Sequence, residues 1–469
     1  MKKYVEEQTL ENAYMQVLDI IEKVGVRFEC NEVRDFFQQQ GAKICGENVL
    51  IPRNMMEEAI SATPKQDYSE ITKKRVVAAT PFCNAPFVIN DHTGKISRCK
   101  LEDEIKMYQI NETSPLYECA NPGFADPEDI DVDDSFIAQI AMTLKYSNKY
   151  PSIGLRATGS NAKDGNVYES ARKAFHLVRE FYDLWDEPVM TQGICPNPPL
   201  AYDRESLDNL KAAIDEKQAI SLFPCSVSFM TGPERILDLV IHDFALALAG
   251  LCYIQLLSPG HPVSLSEFST ISDIRTLQPV YGAPESMIVQ VIFYEISKYL
   301  KLPCVICGSY SDAITADYQS GAETMLTMML PFQLTEIDEV WCYPGHMSGF
   351  SCGSFQKAIL DEESMRYVNR ALRKTDCTIH ESLPKHLVAA QDDGSFLSIG
   401  SMATYREDHY LTELFNKTGI AMAKSSEKNT LRETVERMIR ERINTYELPQ
   451  HTKSQKKLLQ PYLPTKCRY

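Results

Sequence analysis

Near the amino terminus, apolar positions recur at helical spacing. Between Leu10 and Val24, the residues Ala13, Val17, Ile20, Ile21 and Val24 fall on one face, which predicts an amphipathic helix. A second helix is expected after Pro52, through Met55, Met56, Ala59 and Ile60, because proline suits the first helical turn. From Pro86 onward short apolar runs alternate with longer helical patterns, the signature of strand–helix units that build a parallel sheet. Eight runs read as strands: Phe87 to Asn90, Tyr117 to Asn121, Ser152 to Ala157, Val189 to Ile194, Ala219 to Ser226, Pro262 to Ser266, Cys304 to Ser309 and Val340 to Tyr343.

The stretches between them read as helices, among them Leu101 to Asn111, Tyr168 to Leu184, Met287 to Leu300 and the nearly all-apolar Ala322 to Leu334. Eight such units predict an α/β fold, a TIM-type (β/α)8 barrel. The expected organisation is a helical layer over residues 1–85, the barrel core over 86–353, and carboxyl-terminal helices and tail over 354–469. Glu362 to Leu372 and Arg432 to Ile443 supply two of those last helices, and a basic tail with Lys453, Lys456 and Lys457 is expected to clasp a subunit or to stay mobile. The competing architecture, an open doubly wound sheet, usually carries a glycine-rich phosphate loop after a strand, and no convincing GxGxxG stands in such a place.

Composition narrows the function. With 44% hydrophobic and 24% charged residues the chain reads as an ordinary globular enzyme rather than a disordered one. A formal charge of −16 disfavours a nucleic-acid surface, where neutralising phosphates supplies most of the affinity. Met1 to Gln8 is polar, and the most apolar stretch, Phe244 to Leu257, is too short to span a bilayer and reads as a buried helix. Fourteen cysteines scattered through a chain of 469 residues suit reduced thiols, so the cytoplasm is the expected compartment. In the CxxC of Cys304 and Cys307 the two thiols lie three apart on a strand and face opposite sides, which favours structural thiols over zinc or redox chemistry.

The segment Met230 to Pro233, the helix end Ala249 to Leu256, and Tyr281 to Glu285 resemble the trimethylamine methyltransferase family in order and spacing. The resemblance continues through Gly308 to Asp312, Asp317 to Glu323 and Asp361, with weaker similarity in the amino-terminal helices. It implies a (β/α) barrel that moves a methyl group from an amine to the cobalt of a corrinoid held on a separate protein, so no corrinoid is expected to stay bound to this chain. Archaeal members acting on trimethylamine carry pyrrolysine, which should map near Cys307 to Ile314, whereas this chain has only standard residues there. Members without pyrrolysine act on quaternary amines such as glycine betaine, proline betaine and carnitine. Expulsion of a neutral tertiary amine needs no proton, so a strong general acid is dispensable.

Barrel enzymes hold ligands at the carboxyl ends of their strands, and this selects candidates. After the eighth run Trp341, Tyr343, His346 and Phe350 offer aromatic faces and a polar group, suited to a quaternary ammonium through cation–π attraction. Plain packing of Trp341 and Phe350, or a bond from His346 to a carbonyl, is the alternative. After the seventh run Tyr310 and Asp312 are candidates, Asp312 facing the cation or else bonding loop amides. His346 and Asp312 are also the only candidates for a catalytic role. Arg156 and Gln192 are expected to hold a substrate carboxylate, unless Arg156 merely pairs with an acidic neighbour. Asn90 and Asn121 stand similarly at the first two strand ends. No metal site is expected, for want of an HExxH or a paired CxxC. A homo-oligomer is expected. A barrel lyase would need a Schiff-base lysine on a strand, and the eight runs contain none; a betaine-binding protein without catalysis is the remaining alternative.

Overall fold

The computed structural model describes residues 3–68, 74–82, 85–121, 123, 127–151, 153–154, 156–417, 419 and 430–469. Its centre is a seven-stranded, all-parallel sheet. In chain order the strands are β1 (Arg75–Ala78), β2 (Ile153–Gly154), β3 (Thr191–Ile194), β4 (Ala219–Leu222), β5 (Val263–Ser266), β6 (Cys304–Gly308) and β7 (Glu339–Cys342), and they lie side by side as β1-β7-β6-β5-β4-β3-β2. Register follows Ile194↔Leu222 between β3 and β4, Leu222↔Leu265 between β4 and β5, Gly308↔Cys342 between β6 and β7, and Cys342↔Ala78 between β7 and β1. Tyr117 pairs parallel with Ala78, and Cys119 with Tyr150, as isolated bridges.

Five of the eight expected runs coincide with strands of this sheet, and Ile153–Gly154 falls inside a sixth; Ser152 and Leu155 of that run lie outside the described residues. The run Tyr117 to Asn121 contributes only the two bridges. The run Phe87–Asn90 is a strand, but it pairs antiparallel with Lys95–Arg98 and parallel with Cys352–Gly353 in a separate four-stranded sheet. The first strand of the main sheet is instead Arg75–Ala78, on the amino-terminal side of the expected boundary at 86.

The expected helices form, Leu10 to Val24 as Glu7–Lys23 and the segment after Pro52 as Arg53–Ala62. The apolar stretch at Phe244 belongs to a longer helix, Ile236–Leu257, with 83% of its most apolar window buried inside the protein. This 22-residue helix alone, among the described residues, is long and apolar enough to cross a membrane, and its burial marks a core helix. It packs tightly: a Cβ at Gly250 would run into the Tyr202 ring and hydroxyl, and that hydroxyl donates to the Leu246 carbonyl at 3.1 Å. Gly250→Ala is therefore expected to cost about 1–3 kcal/mol through overpacking, despite alanine's better helix propensity, read as a lower urea midpoint.

The basic tail is neither a free clasp nor mobile. Lys453–Leu459 is a capped helix, Leu459, Leu463 and Cys467 are buried in the main core, Lys145 donates to the Cys467 carbonyl, and the Thr465 amide donates to Asp131 at 2.9 Å. Burying those apolar side chains compensates the ordering of a lysine-rich end.

Candidate functional site at the carboxyl ends of the strands

The chain leaves β6 at Gly308 and turns at once. A Cβ on Gly308 would stand 2.7 Å from the Thr327 carbonyl of the helix Tyr318–Leu334, so only glycine lets that helix approach. The Tyr310 amide then donates to Thr327 Oγ1 at 3.0 Å, and Glu323 accepts from Ser311 Oγ and the Asp312 amide, both at 2.9 Å. Asp312 in turn accepts the amides of Tyr281 at 2.9 Å and Gly282 at 2.7 Å. Both Asp312 oxygens are thus taken up by loop amides, the second of the two roles open to it. Burial raises its pKa, the Glu323 charge adds to this, and the two amides oppose it. Glu323, Asp312 and Tyr281 form a relay that fixes the β5 loop against the β6 loop.

Beyond β7 the backbone enters the left-handed region at Gly345, Ser348, Gly349 and Phe350, with φ of 71° at Phe350. For a bulky residue this conformation is strained. It delivers the Phe350 ring into the middle of an aromatic group. Ring centroids lie 4.7 Å from Tyr281 at 90°, 4.4 Å from His346 and 5.1 Å from Tyr310, with Phe268 at 6.2 Å and Tyr343 at 6.5 Å. Edge-to-face packing of this kind leaves π faces available, the surface that a cation–π contact uses. Tyr343 also lies 6.0 Å from Phe268, and the Cys307 thiol points to its hydroxyl. His346 is buried, and its Nδ1 donates to the Tyr343 carbonyl at 3.0 Å.

The structure therefore brings Tyr310, Tyr343, His346 and Phe350 together, with Trp341 packed against the same cluster. It ties Arg156 to Asp203 at 2.8 Å and Glu205 at 3.3 Å, the acidic pairing that was the alternative for it, while its Nε has no partner. Gln192 is buried on β3 and donates to the Gly193 carbonyl at 3.0 Å. Asn121 is buried. Asn90 stands on a strand of the separate four-stranded sheet and accepts the amides of His92 and Thr93, a turn-capping role.

Four residues absent from the sequence candidates belong here. Phe268 and Tyr281 come from the β5 loop. Cys225, after β4, hydrogen-bonds the Tyr281 hydroxyl at 3.4 Å and its own thiol meets that of Cys195. Glu267, the first residue past β5, is buried. One of its oxygens accepts the Ser269 amide at 2.6 Å, and the other has no partner. Burial pushes its carboxyl well above the usual range, with Asp243 adding to the shift. Asp243 itself accepts from His242 Nδ1 at 2.8 Å and from the Ser226 hydroxyl. The strand-end rule would have found Glu267, since it directly follows the run ending at Ser266; Tyr281 stood in a quoted motif but not at a strand end.

Sequence comparison extends this picture. The sequence profile of the family described as trimethylamine methyltransferase matches residues 2–468. A proline betaine:corrinoid methyltransferase of Eubacterium limosum is 32% identical, covering 98% of this chain and 97% of its own. An L-carnitine:corrinoid methyltransferase of the same organism is 30% identical, over 98% and 96%. Among solved structures, the Methanosarcina barkeri monomethylamine methyltransferase superposes with a TM-score of 0.50 at 10% identity, over 96% of this chain and 90% of that one, a likeness of fold alone.

Proposed function

Because the chain belongs to the trimethylamine methyltransferase family, as a corrinoid-dependent methyltransferase, we propose that its substrate is a small carboxylated quaternary amine of the betaine type: proline betaine, glycine betaine or carnitine. The observation that carries this reading is the ring cluster of Tyr281, Tyr310, Tyr343, Phe268 and Phe350, with the buried, half-unpartnered carboxyl of Glu267 next to Phe268 in the chain. A quaternary ammonium has no N–H to donate. Aromatic faces and one carboxylate suit it better than a set of hydrogen-bond acceptors would.

The parallel pairing and the two bridges at Tyr117 and Cys119 support reading the sheet as a closed (β/α)8 barrel, with this cluster at its mouth. The partner protein's corrinoid supplies the Co(I) nucleophile at that mouth. The chain's own residues do the rest. The rings exclude water and aim one N-methyl outward, and alignment of this kind carries much of the rate. Glu267 loses its proton more readily once a permanent cation stands near it. A softer, largely aromatic surround avoids holding the ammonium so tightly that the ground state gains more than the transition state, in which that charge is being lost. Arg156 and Gln192, with His346, are the groups proposed to meet the substrate carboxylate. Reduced thiols throughout the described cysteines suit a cytoplasmic setting.

The test is transfer of a methyl group to free Co(I) cobalamin by the purified chain, followed by loss of Co(I) absorbance, over a panel of methylated amines at equal concentration. Betaines are expected to lead, with choline well behind because it lacks the carboxylate. Choline as the best substrate would remove the carboxylate handle, and no transfer from any betaine would sink the substrate class.

A further inference from the structure

Six large apolar side chains stand in water on the loops that follow β4, β5 and β6. Phe229 and Met230 lie in the loop after β4, Ile274 and Leu277 at the tip of the hairpin that joins Ile271–Asp273 to Gln278–Val280, and Ile314 and Tyr318 beyond β6. Phe229 is 67% exposed, Ile274 77%, Ile314 65% and Tyr318 92%, while Met230 and Leu277 are half-exposed. None of the six belongs to the aromatic cluster.

Hydrogen bonds tie these loops to one another. The loop after β4 runs along the hairpin: the Thr270 amide donates to the Ser226 carbonyl and the Ser228 amide to the Thr270 carbonyl, both at 2.9 Å, and the Ser272 hydroxyl donates to the Ser228 carbonyl at 2.8 Å. Where the hairpin ends, Asp312 of the β6 loop holds the amides of Tyr281 and Gly282, and the Ser348 amide donates to the Ala313 carbonyl at 3.0 Å, directly before Ile314. At the tip Arg275 pairs with Asp273 at 2.5 Å, so the charges beside Ile274 and Leu277 cancel. Two of the six side chains are also held on strained backbone. Phe229 has a φ of 67° and Leu277 a φ of 55°, the left-handed region that bulky L-residues avoid. At least half of each residue stands in water, so burial does not compensate that strain. Uncompensated strain and exposed apolar side chains on joined loops mark a surface kept for a partner rather than for folding.

We infer that these loops dock the protein that carries the corrinoid, which rests on reading the aromatic cluster as the substrate site. Position chooses that occupant. The same loops build both surfaces: Phe268 and Tyr281 flank the hairpin and belong to the cluster, and Tyr310 leads into Ile314. A methyl group passes only between atoms in contact, so the partner's cobalt must come to the cluster, and the protein that bears it must press on the loops around it. A second copy of this chain seated there would close the way to that cobalt. The partner surface that fits is an apolar one bordering its corrinoid.

Methyl transfer to two acceptors tests this. One is free Co(I) cobalamin; the other is the corrinoid protein fractionated from cells that make this chain, identified by its corrinoid absorbance and by its methylation by the chain. The donor is whichever amine of the panel serves best, so a wrong substrate class leaves this test in force. The pair Phe229→Gly/Leu277→Gly and, at an unstrained position, Ile274→Ser should each lower kcat/KM for the corrinoid protein by about tenfold or more, chiefly through KM. Transfer to free cobalamin should keep its wild-type rate in both. The glycine pair should also keep its urea midpoint, since relief of the left-handed backbone offsets glycine's larger unfolded-state entropy. Sedimentation velocity of the two proteins mixed should show the complex weakened in the same variants. Wild-type kinetics with the corrinoid protein in both variants would overturn the proposal, and so would an equal loss with free cobalamin, which would put these residues in the substrate site. A variant that by itself sediments with less mass than the wild type would overturn it too, since the face would then seat a second copy.

Discussion

Asp361→Ala should lower the stability of the protein by about 3–5 kcal/mol, the usual penalty for leaving one member of a buried ion pair without its partner. Asp361 and Lys357 are both buried, one turn apart on the same helix, and their charged atoms are 2.5 Å apart. The same carboxylate oxygen accepts the Gly345 amide at 2.8 Å and the Ser309 hydroxyl at 3.4 Å. It therefore ties the loop after β6 to the loop after β7, and after its removal Lys357 keeps only Thr324 Oγ1 at 2.9 Å. Urea denaturation reads the loss directly. Adding Lys357→Met to the same chain should recover a large part of it, because an apolar replacement no longer strands a charge. A single variant with a wild-type midpoint would mean that the pair does not hold the two loops.

The second large effect falls on activity. Replacing Phe350 by alanine or by glycine should lower kcat/KM for a betaine by about 30-fold, the equivalent of ~2 kcal/mol for a desolvated cation–π face. Stability should separate the two variants. Phe350 sits at a φ of 71°, a conformation that costs an L-residue with a side chain roughly 1–2 kcal/mol and glycine almost nothing. Phe350→Gly should therefore unfold at a higher urea concentration than Phe350→Ala, although both lack the ring. Equal activity to wild type in both variants would place the cation elsewhere in the cluster. The reverse order of stability would show that the strain at this position is compensated locally.

Much of the fold was legible because apolar periodicity follows burial. The helix Ile236–Leu257 is apolar on every side because every side is covered, and β4, β5, β6 and β7 announce themselves as short apolar runs between helical patterns. Arg75–Ala78 escapes pattern reading because four residues beside a basic stretch carry too little of it. Phe87–Asn90 has the pattern of a first strand because a strand in a hairpin shows the same short apolar run as a strand in a parallel sheet.

The site was legible only in part, and the reason is that it is made between loops. Strand-end logic reached Tyr310, Tyr343, His346 and Phe350, but Tyr281 joins them through Asp312 holding its amide, a contact between two segments that no local pattern reveals. Arg156 shows the converse: nothing around it in the sequence points to Asp203 and Glu205, which lie on the next strand-end loop and occupy part of its guanidinium.

The central claim is that the substrate nitrogen must be quaternary. Its cation is then permanent and its leaving group is born neutral, so no proton has to reach the departing nitrogen. The most direct test compares initial rates of Co(I) cobalamin methylation from proline betaine, from its tertiary product N-methylproline, and from trimethylamine, at equal concentration and with the same enzyme. The account predicts transfer from proline betaine, or from glycine betaine or carnitine run beside it, with the two tertiary amines at or near background. Trimethylamine or N-methylproline matching or exceeding the betaines would contradict it.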